Sequence, residues 1–317
     1  MLGYLVRDNT FFGQRFMFPD IDSVWNFNDL DETARNIHSK IASTTTDPSG
    51  LQSLELTIQL GHVQGLQGRT QEAQLTLDSA KIRIGELGAG ASLRPEIRYL
   101  LESGRLACLL RTPDQAQARF GRAWELAMEN GEDFFAIDAA LMLAITQPPK
   151  LQAAWLERAI HVALETTIME SKKWLPQIYL RRGWAFFDLF NFEIALVDFE
   201  AAVSGLATDN SDLRLSAEWG VARTYRALRR TDEALAVQQK LLQRVDTETF
   251  QGLGRGYVLW EIAECFLSLK KLGDAQNYFA QALLEFSTKD AFKNSNPADF
   301  SRIQHLGDKK YAGERSE

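Results

Sequence analysis

The side chains in this 317-residue chain that could do chemistry are suited to holding a ligand rather than transforming one. Arg98, Arg105, Arg223 and Arg226 each carry a planar fork of donors matched to a carboxylate, and Trp184, Trp219, Tyr257 and Trp260 each carry an apolar ring with one polar atom. The groups that usually run catalysis are scattered by contrast. His38, His62, His161 and His305 never pair with one another or with a cysteine at helical spacing, which argues against a metal site. Cys108 and Cys265 lie far apart in apolar stretches, so a disulfide framework is not expected and a reducing, cytoplasmic compartment is. The GxxxxGK[ST], HExxH and GxSxG signatures are absent. The run Gly252, Gly254, Gly256 sits between helical patterns rather than after a strand, and reads as a connector. Acidic residues fall mostly at helix starts or solvent positions, so no acid–base pair stands out. The expectation is a non-enzymatic chain with no cofactor and no metal.

Composition narrows the partners. With 45% hydrophobic and 24% charged residues the chain is expected to fold and stay soluble. Its formal net charge of −7 argues against nucleic acid or an anionic membrane as the main partner, because either demands a basic excess. The first 18 residues lack a basic start followed by an apolar core, and no stretch approaches the ~20 apolar residues of a membrane span.

The elements that position the arginines and rings repeat. A small residue and an alanine recur twelve apart at Gly61/Ala73, Gly104/Ala116, Gly183/Ala195, Ala222/Ala234 and Ala263/Ala275, with Ala140/Gln152 as a degraded copy. After the alanine come a large apolar residue four on and a second alanine three further, as in Ala73/Leu77/Ala80, Ala116/Phe120/Ala123, Ala195/Phe199/Ala202 and Ala275/Phe279/Ala282. These offsets share one helical stripe, a packing seam. A mid-helix glycine costs about 1 kcal/mol relative to alanine, so Gly61, Gly104 and Gly183 imply a close approach there. Turns such as Gly68-Arg69-Thr70 and Arg111-Thr112-Pro113-Asp114 separate the two helices, with Thr70, Thr112 and Thr231 expected as N-caps.

This pattern resembles the tetratricopeptide repeat family, whose repeats pair a mid-helix Leu-Gly with a later Ala, Phe and Ala. Leu60-Gly61 matches it, as do Gly183, Phe186, Ala195, Phe199 and Ala202. The anchors are spaced 43, 36, 43, 39 and 41 residues apart, longer than the family period, which points to lengthened helices or loops. Gln152/Leu156/Ala159 and Ala234/Gln238/Leu241 depart further. The resemblance covers roughly residues 49 to 286 and implies an all-α, right-handed superhelix of about six helical hairpins.

Three segments follow. Residues 1–48 form an aromatic arm (Phe11, Phe12, Phe16, Phe18, Trp25, Phe27) and a capping helix with Ala34, Ile37 and Ile41 on one face; residues 49–286 form the array; residues 287–317 form a C-terminal cap and polar tail. Measured from the small anchor of each first helix, positions −6, −3, +1 and +4 share an arc that, in the family resembled, lines the ligand-holding surface. That arc collects Arg98, Arg105, Trp184, Trp219, Arg223, Arg226, Tyr257 and Trp260, with Glu55, His62, Cys108, Phe134 and Glu264 among others. The expected function is a protein- or peptide-binding scaffold or adaptor whose groove suits an acidic segment or a C-terminus. The alternative is a ligand- or peptide-sensing regulator whose N-terminal arm gates an interaction surface; that arm could also mediate self-association.

Overall fold

A computed structural model of the chain describes residues 22–26, 28–43, 49–88, 93–206, 211–247, 254–287 and 290–308. Apart from Trp25, the aromatic residues expected to form an N-terminal arm lie outside these, and so does any gating or self-association by them. Among the described residues every regular element is helical: α1 (Leu30–Ser43), α2 (Leu51–Leu66), α3 (Thr70–Glu86), α4 (Leu93–Leu109), α5 (Pro113–Glu129), α6 (Asp133–Ile145), α7 (Pro149–Glu165) and α8 (Met169–Lys172) in the first half. The second half holds α9 (Leu175–Asp188), α10 (Phe192–Gly205), α11 (Ser211–Ala227), α12 (Thr231–Thr247), α13 (Arg255–Ser268), α14 (Leu272–Ser287), α15 (Asp290–Ser295) and α16 (Pro297–Gly307).

The chain divides into two compact units, one ending at Lys173 and one running from Trp174. In the first, α2/α3, α4/α5 and α6/α7 are hairpins, each packed on the next, and α1 packs on α2. In the second, α9/α10, α11/α12 and α13/α14 repeat that arrangement, and α16 packs on α14. The six hairpins are those expected from the twelve-residue pairs.

The packing explains the glycines. A Cβ placed on Gly61 would meet Leu77 Cγ at 2.8 Å, one on Gly183 would meet Phe199 Cε1 at 2.7 Å, and one on Gly104 would strike the Phe120 ring. Each large residue of the second-helix stripe thus fills the space a first-helix side chain would need, which is what offsets the glycine's propensity cost. The flanking alanines Ala73, Ala80, Ala116, Ala123, Ala195 and Ala202 are fully buried in the same seams. Gln238, which replaces the large apolar residue in the fifth copy, is also fully buried, with neither amide atom hydrogen-bonded.

Two local expectations are corrected. Thr70 and Thr231 are helical rather than N-caps, and the Thr112 hydroxyl donates back to the Ala107 carbonyl at 3.1 Å instead of capping α5. The turns are closed by the backbone of the preceding helix: a left-handed residue (Gly68, Arg111, Phe190, Arg229 or Lys270) is followed by an N–H that bonds a carbonyl five residues back. That satisfies the carbonyls at the end of the preceding helix, while the first N–H groups of α3 and α5 receive no side-chain cap. Gly256 is not part of a connector either, because it lies in the first turn of α13 with Phe286 Cε1 2.9 Å from where its Cβ would stand.

Candidate ligand-binding face on the first helices

The first helices carry charged and aromatic residues at matched register, and the register explains how they meet. The group one residue after a small anchor faces the group two residues before the anchor of the next repeat. In the first unit His62 Nδ1 lies 3.1 Å from Glu102 Oε2, and Arg105 Nη2 donates to both Asp138 oxygens at 2.5 and 2.7 Å. In the second unit Arg223 Nε approaches Glu261 Oε2 at 3.4 Å by the same offset. One turn earlier, at position −6 in two successive repeats, Arg98 reaches Glu55 at 3.3 Å.

A few acids depart from the general placement at helix starts or in solvent. Glu102, Asp138, Asp198 and Glu261 are all buried, and they exist to match arginines. Arg105 also pairs with Glu102 at 2.9 Å, while Arg182 grips Asp198 with two bonds of 2.7 and 2.8 Å. Burial alone would raise the pKa of Glu102, but Arg105, His62 and Arg98 outweigh it and hold this carboxyl low. Burial would likewise lower Arg105, yet Asp138 and Glu102 reverse the sign and fix its charge. The sequence signal that identifies Glu102, Asp138 and Glu261 is their place two residues before Gly104, Ala140 and Ala263.

His62 follows the opposite logic. Packed 5.3 Å from the Trp25 ring and enclosed, it is pulled down to about 4 by burial, with Glu102 opposing and Arg105 assisting. A histidine neutral in the fold and near 6.5 when unfolded binds fewer protons folded, so stability rises with pH between those values. The chain is expected to lose about 2 kcal/mol between pH 7 and pH 5 through this group, from ~1.4 kcal/mol per unit. Urea melts at the two pH values check it: His62→Gln should flatten the difference, and an unchanged difference in that variant would assign the loss elsewhere.

In the second unit the aromatic residues of α9, α11 and α13 form a continuous set. Trp184 and Trp219 rings stand 5.4 Å apart, Trp219 and Tyr257 6.1 Å, and Trp260 packs edge-on to Phe286 at 6.4 Å. Trp184, Trp219 and Trp260 are buried and Tyr257 partly so. Trp260 Nε1 donates to Glu264 at 3.0 Å, and Glu264 also receives Arg302. Arg226 Nε donates to Glu261, whose carboxyl is held low because Arg226 and Arg223 outweigh the burial that would raise it. Arg98 and Arg105 thus belong to the first unit and Trp184, Trp219, Arg223, Arg226, Tyr257 and Trp260 to the second, with each arginine within 3.4 Å of a carboxylate oxygen.

Neither cluster supplies an activated nucleophile. Cys265 is buried, and burial, reinforced by Glu261, pushes its thiol up to about 12. Among the described residues no three His, Cys, Asp or Glu side chains are grouped as metal ligands, and no helix is long and apolar enough to cross a membrane. A cavity of about 590 Å³ lies between α10, α11 and α12, floored by Val203, Val221, Val237 and Leu241. Its polar rim is largely self-satisfied, with Arg244 on Glu218 at 2.6 Å and the Tyr225 hydroxyl on Glu200 at 3.3 Å.

No protein-family model matches the chain, and no curated protein resembles it in sequence. Its backbone is similar to that of the apo form of the quorum sensor NprR from B. thuringiensis, with a TM-score of 0.62 and 14% identity over 90% of this chain and 80% of that one. The chain has a tetratricopeptide-like repeat fold. The same likeness extends to NprR in complex with its cognate peptide NprX, at TM-score 0.53 and 13% identity over 90% and 82% of the two chains. It extends also to the apo form of RapI, at 0.57 and 10% over 89% and 82%. With this repeat fold assigned, the arginines and rings lie on the first helices of their hairpins, at the register positions −6, −3, +1 and +4.

Proposed function

We propose that this protein is a non-enzymatic receptor for a peptide or an extended protein segment, bound against the first helices of its repeats. The observation that carries this reading is the wall of rings and arginines formed by Trp184, Trp219, Arg223, Arg226, Tyr257 and Trp260 on three successive first helices. Arg226 is held by Glu261 and the Trp260 indole by Glu264, so little of their side-chain entropy remains to be lost on binding. Aromatic and arginine anchors are also the residues that dominate binding energy at interfaces. The likeness to NprR, a quorum sensor seen both without ligand and with its cognate peptide, supports a peptide as partner. A sensing role therefore stands beside that of a static adaptor.

Selection of peptides displayed on phage, followed by calorimetric titration of an enriched sequence, tests the proposal. Binding is expected to weaken at least tenfold in Trp219→Phe and Trp260→Phe while helical circular dichroism is unchanged. A selection that enriches nothing, or an enriched peptide indifferent to both variants, would overturn it.

A further inference from the structure

The cavity of about 590 Å³ between α10, α11 and α12 is a gap in an otherwise regular pattern. Repeats place equivalent side chains at equal offsets from their anchors, so the space one repeat later, between α12, α13 and α14, shows what ordinarily fills it. There Leu242, Leu259, Phe266 and Tyr278 pack into one core, and the Phe266 and Tyr278 rings stack at 5.4 Å. The equivalent positions around the cavity hold Val203, Glu218, Tyr225 and Val237. Val203 and Val237 are shorter than Leu242 and Tyr278, and Glu218 is drawn off by Arg214 at 2.9 Å and Arg244 at 2.6 Å. Tyr225 keeps its ring, but the ring that would stack on it is missing.

The lining says what would fit. Val203, Val221, Val237 and Leu241 give an aliphatic floor, and the Tyr225 ring gives a wall. Arg230, which packs over that ring at 4.3 Å, does not line the cavity. Most polar groups of the rim are engaged: Glu200 receives the Tyr225 hydroxyl, Ser204 donates to the Glu200 carbonyl at 2.8 Å, and Glu218 holds its two arginines. Lys240 forms neither an ion pair nor a hydrogen bond among the described residues. The volume lies within the range of about 300–1,000 Å³ usual for small-molecule sites.

We infer that this cavity is a binding site for a small planar aromatic compound carrying an anionic group. The ligand's ring takes the place that Tyr278 fills one repeat later, stacked on Tyr225 over Val237 and Leu241, and its charge meets Lys240 at the rim. Offset or edge-on ring pairs add to the area they bury, which favours a flat aromatic over an alicyclic of equal size. The site lies away from the arginine and tryptophan wall of the first helices and does not depend on peptide binding there.

Three probes of matched size test the assignment by saturation-transfer NMR and calorimetry on the full chain: naphthalene-2-carboxylate, decalin-2-carboxylate and 2-naphthylmethylamine. The flat acid is expected to bind, the puckered acid at least fivefold more weakly, and the flat amine about three- to fivefold more weakly, the scale of an exposed ion pair. Val237→Tyr copies the sixth hairpin into the fifth. It is expected to raise the melting temperature of the free protein by about 2–4 °C, as a filled cavity does, and to weaken binding of naphthalene-2-carboxylate at least tenfold. Trp219→Phe is expected to leave that binding unchanged, which separates the site from the peptide-binding face. No binding of the flat acid, or equal binding by the native chain and Val237→Tyr, would overturn the site. Equal binding of acid and amine would overturn the role of Lys240. Should Val237→Tyr fail to fold, Tyr225→Ala, which deletes the stacking ring, decides in its place, with a tenfold loss expected and an unchanged affinity overturning the site.

Discussion

Replacing Glu261 with alanine is expected to destabilise the second unit by about 3–5 kcal/mol, the range for removing one partner of a buried ion pair. Glu261 is 2% exposed, receives Arg226 and stands 3.4 Å from Arg223. Without it two guanidinium groups share a buried site with no carboxylate between them. The cost comes from the charges left behind rather than from the pair's own worth, so Glu261→Leu combined with Arg226→Leu should recover much of the loss. Urea unfolding followed by tryptophan fluorescence, with Trp184 and Trp219 as nearby reporters, measures both. A single-variant loss below 1 kcal/mol would mean that Arg226 escapes to solvent when released. The acid side carries its own sign: Glu261 has a folded pKa below its unfolded one, so its contribution is present above the ordinary carboxylate range and fades as pH falls below it.

Phe199→Ala carries a comparable expected loss, about 3–5 kcal/mol for truncating a buried phenylalanine. The ring is fully buried and wedged between two backbones: a Cβ on Gly183 of α9 and one on Gly220 of α11 would each come within 2.7 Å of it. Trp184 packs on it at 4.8 Å. Its removal opens a cavity bordered by two glycines, which gives the prediction a second arm. In the native chain Gly183→Ala and Gly220→Ala should destabilise, because overpacking outweighs the ~1 kcal/mol that alanine gains over glycine in a helix. In the Phe199→Ala background the same substitutions should stabilise, since the space is vacant. A double-mutant cycle without that reversal of sign would remove the ring as the reason for the glycines.

Much of the fold was legible before any coordinates. The twelve-residue pairs and the Ala–large–Ala stripes name the six hairpins, because helix packing selects residue size at fixed offsets and leaves that choice in the sequence. The amphipathic stretch through Ala34, Ile37 and Ile41 likewise becomes α1, with Ile37 fully buried against Leu56, Leu60 and Val63. The third and fifth copies were harder to read because Gln152 and Gln238 stand where packing residues belong, and both are buried all the same.

The polar face was legible only in part. Residue types and register placed Arg98, Arg105, Arg223 and Arg226 on the first helices, but their charge balance depends on partners 33 to 43 residues away, such as Asp138 for Arg105 and Glu55 for Arg98. A sequence read one helix at a time treats Glu102, Asp138 and Glu261 as solvated acids, because burial and pairing arise only when adjacent repeats stack. The sequence by itself thus determined the hairpins, since each is specified by short-range spacing and side-chain volume. Only the tertiary structure decided which carboxylate each arginine meets, because electrostatic matching is a property of neighbouring repeats rather than of any one of them.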